Sequence, residues 1–179
     1  MAESQIQSDD FSDIRDAVRS LCQGFPGEYW REKDRNREYP REFVQALTDS
    51  GFLAVLIPEA YGGSGLGIRE ASAILEEIHK SGCNGAACHA QMYIMGTLLR
   101  HGSEEQKKKY LPGIASGALR LQAFGVTEPG SGTDTTSIRT FAKKEGDGYV
   151  INGQKVWTSR VEHSDLMLLL ARSEEHTSE

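Results

Sequence analysis

Apolar residues change their spacing once along this chain, near residue 120, and that change limits the folds open to it. Before it they recur three and four positions apart, the period of a helix with one buried face. Phe11, Ile14, Val18 and Leu21 form one such stripe within residues 8–22. Phe43, Val44 and Leu47 form a second, opened by Pro40, whose missing N–H is harmless in a first turn, and closed by Gly51. Ile68, Ala71, Leu75 and Ile78 make a third, and Cys88, Met92, Met95 and Leu99 a fourth, over 85–100. Ser103 with Gln106 has capping-box spacing and predicts a further helix through Tyr110 to Ala115. Residues 24–40 are broken and charged, a solvated connection or a short helix, and 53–57 is too short to assign. Pro58 to Gly67 contains four glycines and reads as a loop.

After residue 120 the spacing is that of strands. Candidates are 121–126, 137–144 and 149–151, with Asn152-Gly153 as a two-residue hairpin turn into Lys155–Trp157, and then 165–171. The expected class is α+β: an all-helical domain over 1–119 followed by an incomplete antiparallel β domain over 120–179. So few strands cannot close on themselves, which leaves edges and one face exposed and predicts a fragment or an assembly that supplies the missing surface. The last nine residues, ARSEEHTSE, are polar and expected to be disordered.

Charge and cysteine usage exclude several classes. A net charge of -6, from 20 basic and 26 acidic residues, gives no electrostatic drive toward nucleic acid or an anionic membrane. Three scattered cysteines are too few for a disulfide scaffold and point to a reducing compartment. The opening MAESQIQSDD has neither a signal-peptide nor a transit-peptide pattern, and no apolar run reaches spanning length. The expectation is a cytoplasmic protein with no stable membrane insertion.

The chemistry concentrates in Phe124–Asp134. Gly130 and Gly132 allow a tight turn with inward N–H groups that can receive an anion, and Thr127, Ser131 and Thr133 add hydroxyls. Asp134 is placed to brace the turn. An ordinary glycine-rich bend between strands fits the same residues. Trp157 fits a core aromatic at a hairpin, or a lid on one face of a planar cofactor with Thr158 or Ser159 at its edge. Strand alternation would put Trp157 and Ser159 on one face. His79, Cys83, Cys88 and His89 lack zinc-site spacing, and Lys107–Lys109, with Glu104 and Glu105 beside them, form a solvated face.

Val126-Thr-Glu-Pro-Gly-Ser-Gly-Thr-Asp134 resembles the signature of the acyl-CoA dehydrogenases, and Asn152-Gly-Gln-Lys-Val-Trp-Thr-Ser159 resembles that family's second block. Pro58–Gly63 and Glu104–Pro112 resemble its early loop and the helix leading into its middle domain, so four blocks stand in family order. The resemblance implies FAD, an acyl-CoA thioester substrate and α,β-dehydrogenation, with proton abstraction at the α carbon and hydride transfer from the β carbon to flavin N5. It implies that Phe124, Gly125, Val126, Thr127, Gly132 and Thr133 line the flavin, with Thr133 also next to the thioester, and that Trp157, Thr158 and Ser159 pack on the ring. Thr133 and Ser159 depart from the usual serine and threonine but keep the hydroxyl. No catalytic residue is assigned, because the family's base lies in a C-terminal domain beyond these residues, and Glu128 holds a structural place beside Pro129. The chain alone is therefore expected to bind FAD weakly and to be inactive. An electron-transfer flavoprotein as acceptor and a homotetramer or homodimer are implied for the intact enzyme. A non-catalytic binding or assembly module, and a relative acting on a nitroalkane, remain open alternatives.

Overall fold

The computed structural model describes residues 11–174. The opening MAESQIQSDD and positions 175–179 of the polar tail lie outside the described residues. Six helices come first: α1 Ser12–Cys22, α2 Gly27–Asn36, α3 Arg41–Asp49, α4 Ile68–Lys80, α5 Ala86–His101 and α6 Glu104–Ser116. Five short strands follow: β1 Leu121–Gly125, β2 Phe141–Glu145, β3 Gly148–Asn152, β4 Leu166–Leu169 and β5 Arg172–Ser173. The α+β class and the helices-then-strands order are those expected.

Several helices form for the local reasons read from the sequence. In α3, Phe43, Val44 and Leu47 are all buried, and Gly51 takes the left-handed φ of 76° that ends such a helix. At α6 the capping box is present: Ser103 Oγ accepts from Gln106 N and Gln106 Oε1 accepts from Ser103 N. The inward face of α4 differs from the expected stripe. Ile74 is fully buried while Ile68, the first helical residue, projects past the packing and is 71% exposed.

The charged run before Pro40 is a helix although it buries no residue of its own. Tertiary contacts at its edge hold it: Trp30 Nε1 donates to Phe25 O at 3.0 Å, and Trp30 and Phe25 both meet the Phe43 ring edge-on.

The core has two parts. One gathers α1, α3 and α4 around Val18, Phe43, Leu47, Ile74 and Ile78. The other joins Ile94, Met95, Leu111 and Ile114 of the helices to Leu121, with Phe124, Leu166 and Leu168 against it. The first strand pair is thus seated directly on α5 and α6.

Strand pairing is mixed rather than antiparallel throughout: β1 runs parallel to β4, β2 antiparallel to β3, and β2 parallel to β5. The hairpin is also not where Asn152-Gly153 predicted it. Glu145 pairs with Gly148 and Phe141 with Asn152, so the turn is Gly146-Asp147, with Gly146 at φ 62°, and Asn152 ends the ladder. Lys155–Trp157 is not a strand. Arg172 and Ser173, expected in a disordered tail, pair with Phe141 and Ala142.

Candidate functional site

β1 runs out of the second core into the segment that carries the glycines and hydroxyls. Leu121 and Ala123 are buried, Phe124 is half-buried against the core, and the strand ends at Gly125, whose carbonyl accepts from Leu170 N at 3.0 Å. A side chain at Gly125 would approach Leu169 Cδ1 to 3.1 Å, a close approach that favours glycine there. Glu128 and Ser131 then exchange both backbone hydrogen bonds, at 2.9 and 3.1 Å, across Pro129-Gly130.

Beyond that turn, Asp134 does brace the chain. Its carboxylate accepts from Thr136 N at 3.0 Å, from Thr136 Oγ1 at 2.5 Å and from the Ser137 hydroxyl. Those bonds, the Ser137 hydroxyl first, hold its pKa below the usual carboxylate value. Ser131 donates its hydroxyl to Asp134 O, so it is occupied within the protein. The tight turn forms across Pro129-Gly130 without a left-handed φ at Gly130 or Gly132, and a Cβ on either would meet nothing within 4 Å. What they leave is open space above the backbone.

The second segment lies beside the first. Val156 N donates to Thr127 O at 2.9 Å, which brings Lys155–Ser159 alongside Val126–Glu128. Trp157 sits at φ 60° with its indole 87% exposed, a left-handed conformation that a bulky side chain seldom adopts. It is therefore neither a core aromatic nor a strand residue, and the alternation that paired it with Ser159 does not apply. Thr158 is half-buried and Ser159 exposed.

Beneath both segments lies a feature the motifs did not announce. The Glu128 carboxylate accepts from Arg139 N at 2.6 Å, Thr140 N at 2.8 Å and Lys155 Nζ at 2.9 Å. The Thr140 side chain first, then the Lys155 ammonium, hold its pKa down at about 2. Such a group is a buried anchor rather than a proton acceptor, in keeping with the structural place expected for it. Because the folded pKa is depressed, its contribution to stability is full above the unfolded value near 4.5 and is lost as pH falls toward about 2. Glu128→Gln should therefore flatten the acid limb of a pH–stability curve in that window, and equal limbs for the two proteins would contradict this.

The other singled-out clusters do not converge. Among the described residues no three metal-capable side chains gather, and Cys22, Cys83 and Cys88 are buried free thiols. Burial pushes the Cys22 and Cys88 thiols up to about 12. Lys107 pairs with Glu104 at 3.0 Å on the surface of α6. A row of rings had no sequence signal: Tyr93, on the exposed side of α5, lies 4.9 Å from His89 and 6.0 Å from Phe124, centroid to centroid.

Comparison with known proteins agrees with this arrangement. The family model for the acyl-CoA dehydrogenase N-terminal domain matches residues 8–118, and that for the middle domain matches residues 123–179. The chain belongs to the acyl-CoA dehydrogenase family. It is 37% identical over 173 residues to acyl-CoA dehydrogenase FadE12 of Mycobacterium tuberculosis, covering 96% of this chain and 44% of that protein. It is 34% identical over 170 residues to the 3-(aryl)acrylate reductase of Clostridium sporogenes, covering 92% and 45%. The crystal structure of an acyl-CoA dehydrogenase from Geobacillus kaustophilus superposes with a TM-score of 0.83 at 27% identity, over 97% of this chain and 46% of that one. The chain thus spans less than half the length of the relatives it matches. Among the described residues no helix is long and apolar enough to cross a membrane.

Proposed function

We propose that Phe124–Thr133 and Trp157–Ser159 form one wall of an FAD site in an acyl-CoA dehydrogenase that oxidises the α,β bond of an acyl-CoA thioester. The observation that carries this reading is Trp157, exposed and held at a left-handed φ one residue after Val156, whose N–H donates to Thr127 O, on a chain of this family. The residues suit the group. Thr127 and Thr133 make no side-chain hydrogen bond within the described protein, and the backbone at Gly130 and Gly132 is open. Thr127 would donate to the pyrimidine edge of the ring and Thr133 to phosphate, next to the thioester. Trp157 would cover the ring, with Thr158 and Ser159 at its edge.

FAD, when bound, would accept the two electrons and hydrogen that leave the β carbon as the α proton passes to a carboxylate base and the C=C bond forms. The described residues supply alignment and hydrogen bonds, and none of their carboxylates is offered as that base. We also propose a division into a helical unit over 1–119 and a flavin-facing unit over 120–179. To these we add a cytoplasmic location, a homotetramer or homodimer, and an electron-transfer flavoprotein as acceptor.

One wall alone should hold FAD weakly. Titrating the 179-residue chain with FAD is expected to quench the fluorescence of Trp157, with most of that quench lost in Trp157→Ala and no acyl-CoA-dependent reduction of an acceptor dye. No response of Trp157 to FAD would sink the site assignment. Tight flavin binding with dye reduction by the chain alone would sink the proposed division of labour. Flavin reduction by a nitroalkane but not by acyl-CoA in the intact protein would move the substrate class.

A further inference from the structure

Lys155 is where the two segments of this wall are tied together. Its ammonium lies 2.9 Å from Val126 O and 2.9 Å from Glu128 Oε1, and the Lys155 and Glu128 side chains are only 9% and 6% exposed. The next residue, Val156, donates its N–H to Thr127 O, and the one after is Trp157. On the far side, Glu128 holds the backbone N–H groups of Arg139 and Thr140. Three stretches of chain, 126–128, 139–140 and 155–157, thus meet at one buried pair.

A buried ion pair adds little net stability over a well-packed apolar pair, because desolvation cancels most of the attraction. Its geometry is another matter. An ammonium has three directed donors, and here one is held by a carbonyl of the Val126–Thr127 strip and one by the carboxylate anchored to residues 139–140. An apolar replacement could fill the volume without setting that spacing.

We propose that Lys155 is a positioning residue. With Glu128 as its counter-ion, it sets the separation between the Val126–Thr127 strip and the Trp157–Ser159 loop, so that one planar ligand meets both. Lys155 touches no ligand itself. This inference rests on the flavin-site reading above, and deepens it by naming what preorganises the wall.

The test compares the wild-type chain with Lys155→Met, Lys155→Arg and the double variant Glu128→Gln/Lys155→Met. Without flavin, amide hydrogen exchange at Val156 and Thr140 is expected to quicken about tenfold or more in Lys155→Met, since local opening no longer breaks the clamp, and to recover most of the way in Lys155→Arg. With flavin, the Kd for FAD should rise about tenfold in Lys155→Met and the induced circular dichroism of the flavin should weaken, because the ligand must then order the wall. The arginine variant should restore both signals. The double variant leaves no unpaired buried charge, so it replaces Lys155→Met if that protein fails to fold.

Unchanged exchange at Val156 and Thr140 would overturn the clamp. Faster exchange with unaltered FAD affinity and dichroism would make Lys155 structural only, and overturn the positioning role. If the wild-type chain binds no FAD, the flavin reading fails and takes this role with it, while the exchange data still report whether the clamp exists.

Discussion

Phe43→Ala is expected to lower the unfolding free energy by about 3–5 kcal/mol, the usual range for truncating a buried aromatic. Phe43 is 1% exposed, and its ring is met edge-on by Phe25 at 5.0 Å and Trp30 at 4.9 Å. Removing it leaves a cavity where α3 meets the start of α2. Because α2 buries no residue of its own, it depends on this ring cluster more than on its own propensity. Thermal denaturation followed by circular dichroism should show the midpoint fall by roughly 10 °C, with amides of residues 27–36 losing protection first. A midpoint within about 2 °C of wild type would show that the cluster collapses around the gap or that α2 stands without it.

Gly63→Ala should be as damaging, though it adds only a methyl group. A Cβ at Gly63 would fall 2.1 Å from Ile57 O and 2.6 Å from Ala54 O, both backbone atoms that cannot swing aside. Those carbonyls already accept from Gly65 N at 2.8 Å and Ser64 N at 3.3 Å, so relieving the clash opens a loop closed by its own hydrogen bonds. Overpacking of this kind costs about 1–3 kcal/mol even where side chains can yield, and a backbone clash belongs at or beyond the top of that range. Chemical denaturation should therefore place Gly63→Ala at least about 3 kcal/mol below wild type. Gly130→Ala, where a Cβ meets nothing within 4 Å, is the control and should stay within about 1 kcal/mol. If the two variants are alike, the close approach at Gly63 is not what makes glycine necessary there.

These two positions sit differently with respect to what a reader of the sequence can see. Phe43 stands in a helical stripe with Val44 and Leu47, so its burial is legible from spacing alone. Gly63 is visible only as one of four glycines in a loop, and nothing local separates it from Gly62, which is there for its left-handed φ of 86°. Contact with Ile57 and Ala54 supplies the difference.

The proposed site divides along the same line. The segment Phe124–Asp134, its hydroxyls and its bracing aspartate were legible, because turn chemistry is written in neighbouring residues. The family was legible too, since four blocks of sequence stand in order. The hairpin was misplaced by six residues: Asn152-Gly153 has the right turn chemistry, yet Phe141 pairs with Asn152 and the turn forms at Gly146-Asp147. Strand register is set by what pairs across the ladder, and short exposed strands such as β3 carry no alternating pattern to declare it. With the register went the strand reading of Lys155–Trp157 and the inferred common face of Trp157 and Ser159.

By itself, then, the sequence determined the helical half, the change to strands near residue 120 and the chemistry of the glycine–hydroxyl segment. All three rest on interactions between residues a few positions apart. The tertiary structure alone decided that the charged run before Pro40 is a helix, that Trp157 points outward at a left-handed φ, and that Glu128 is an anchor held by Lys155. The reason is physical: Glu128 and Lys155 are 27 positions apart, and a buried ion pair exists only where folding removes both groups from water together.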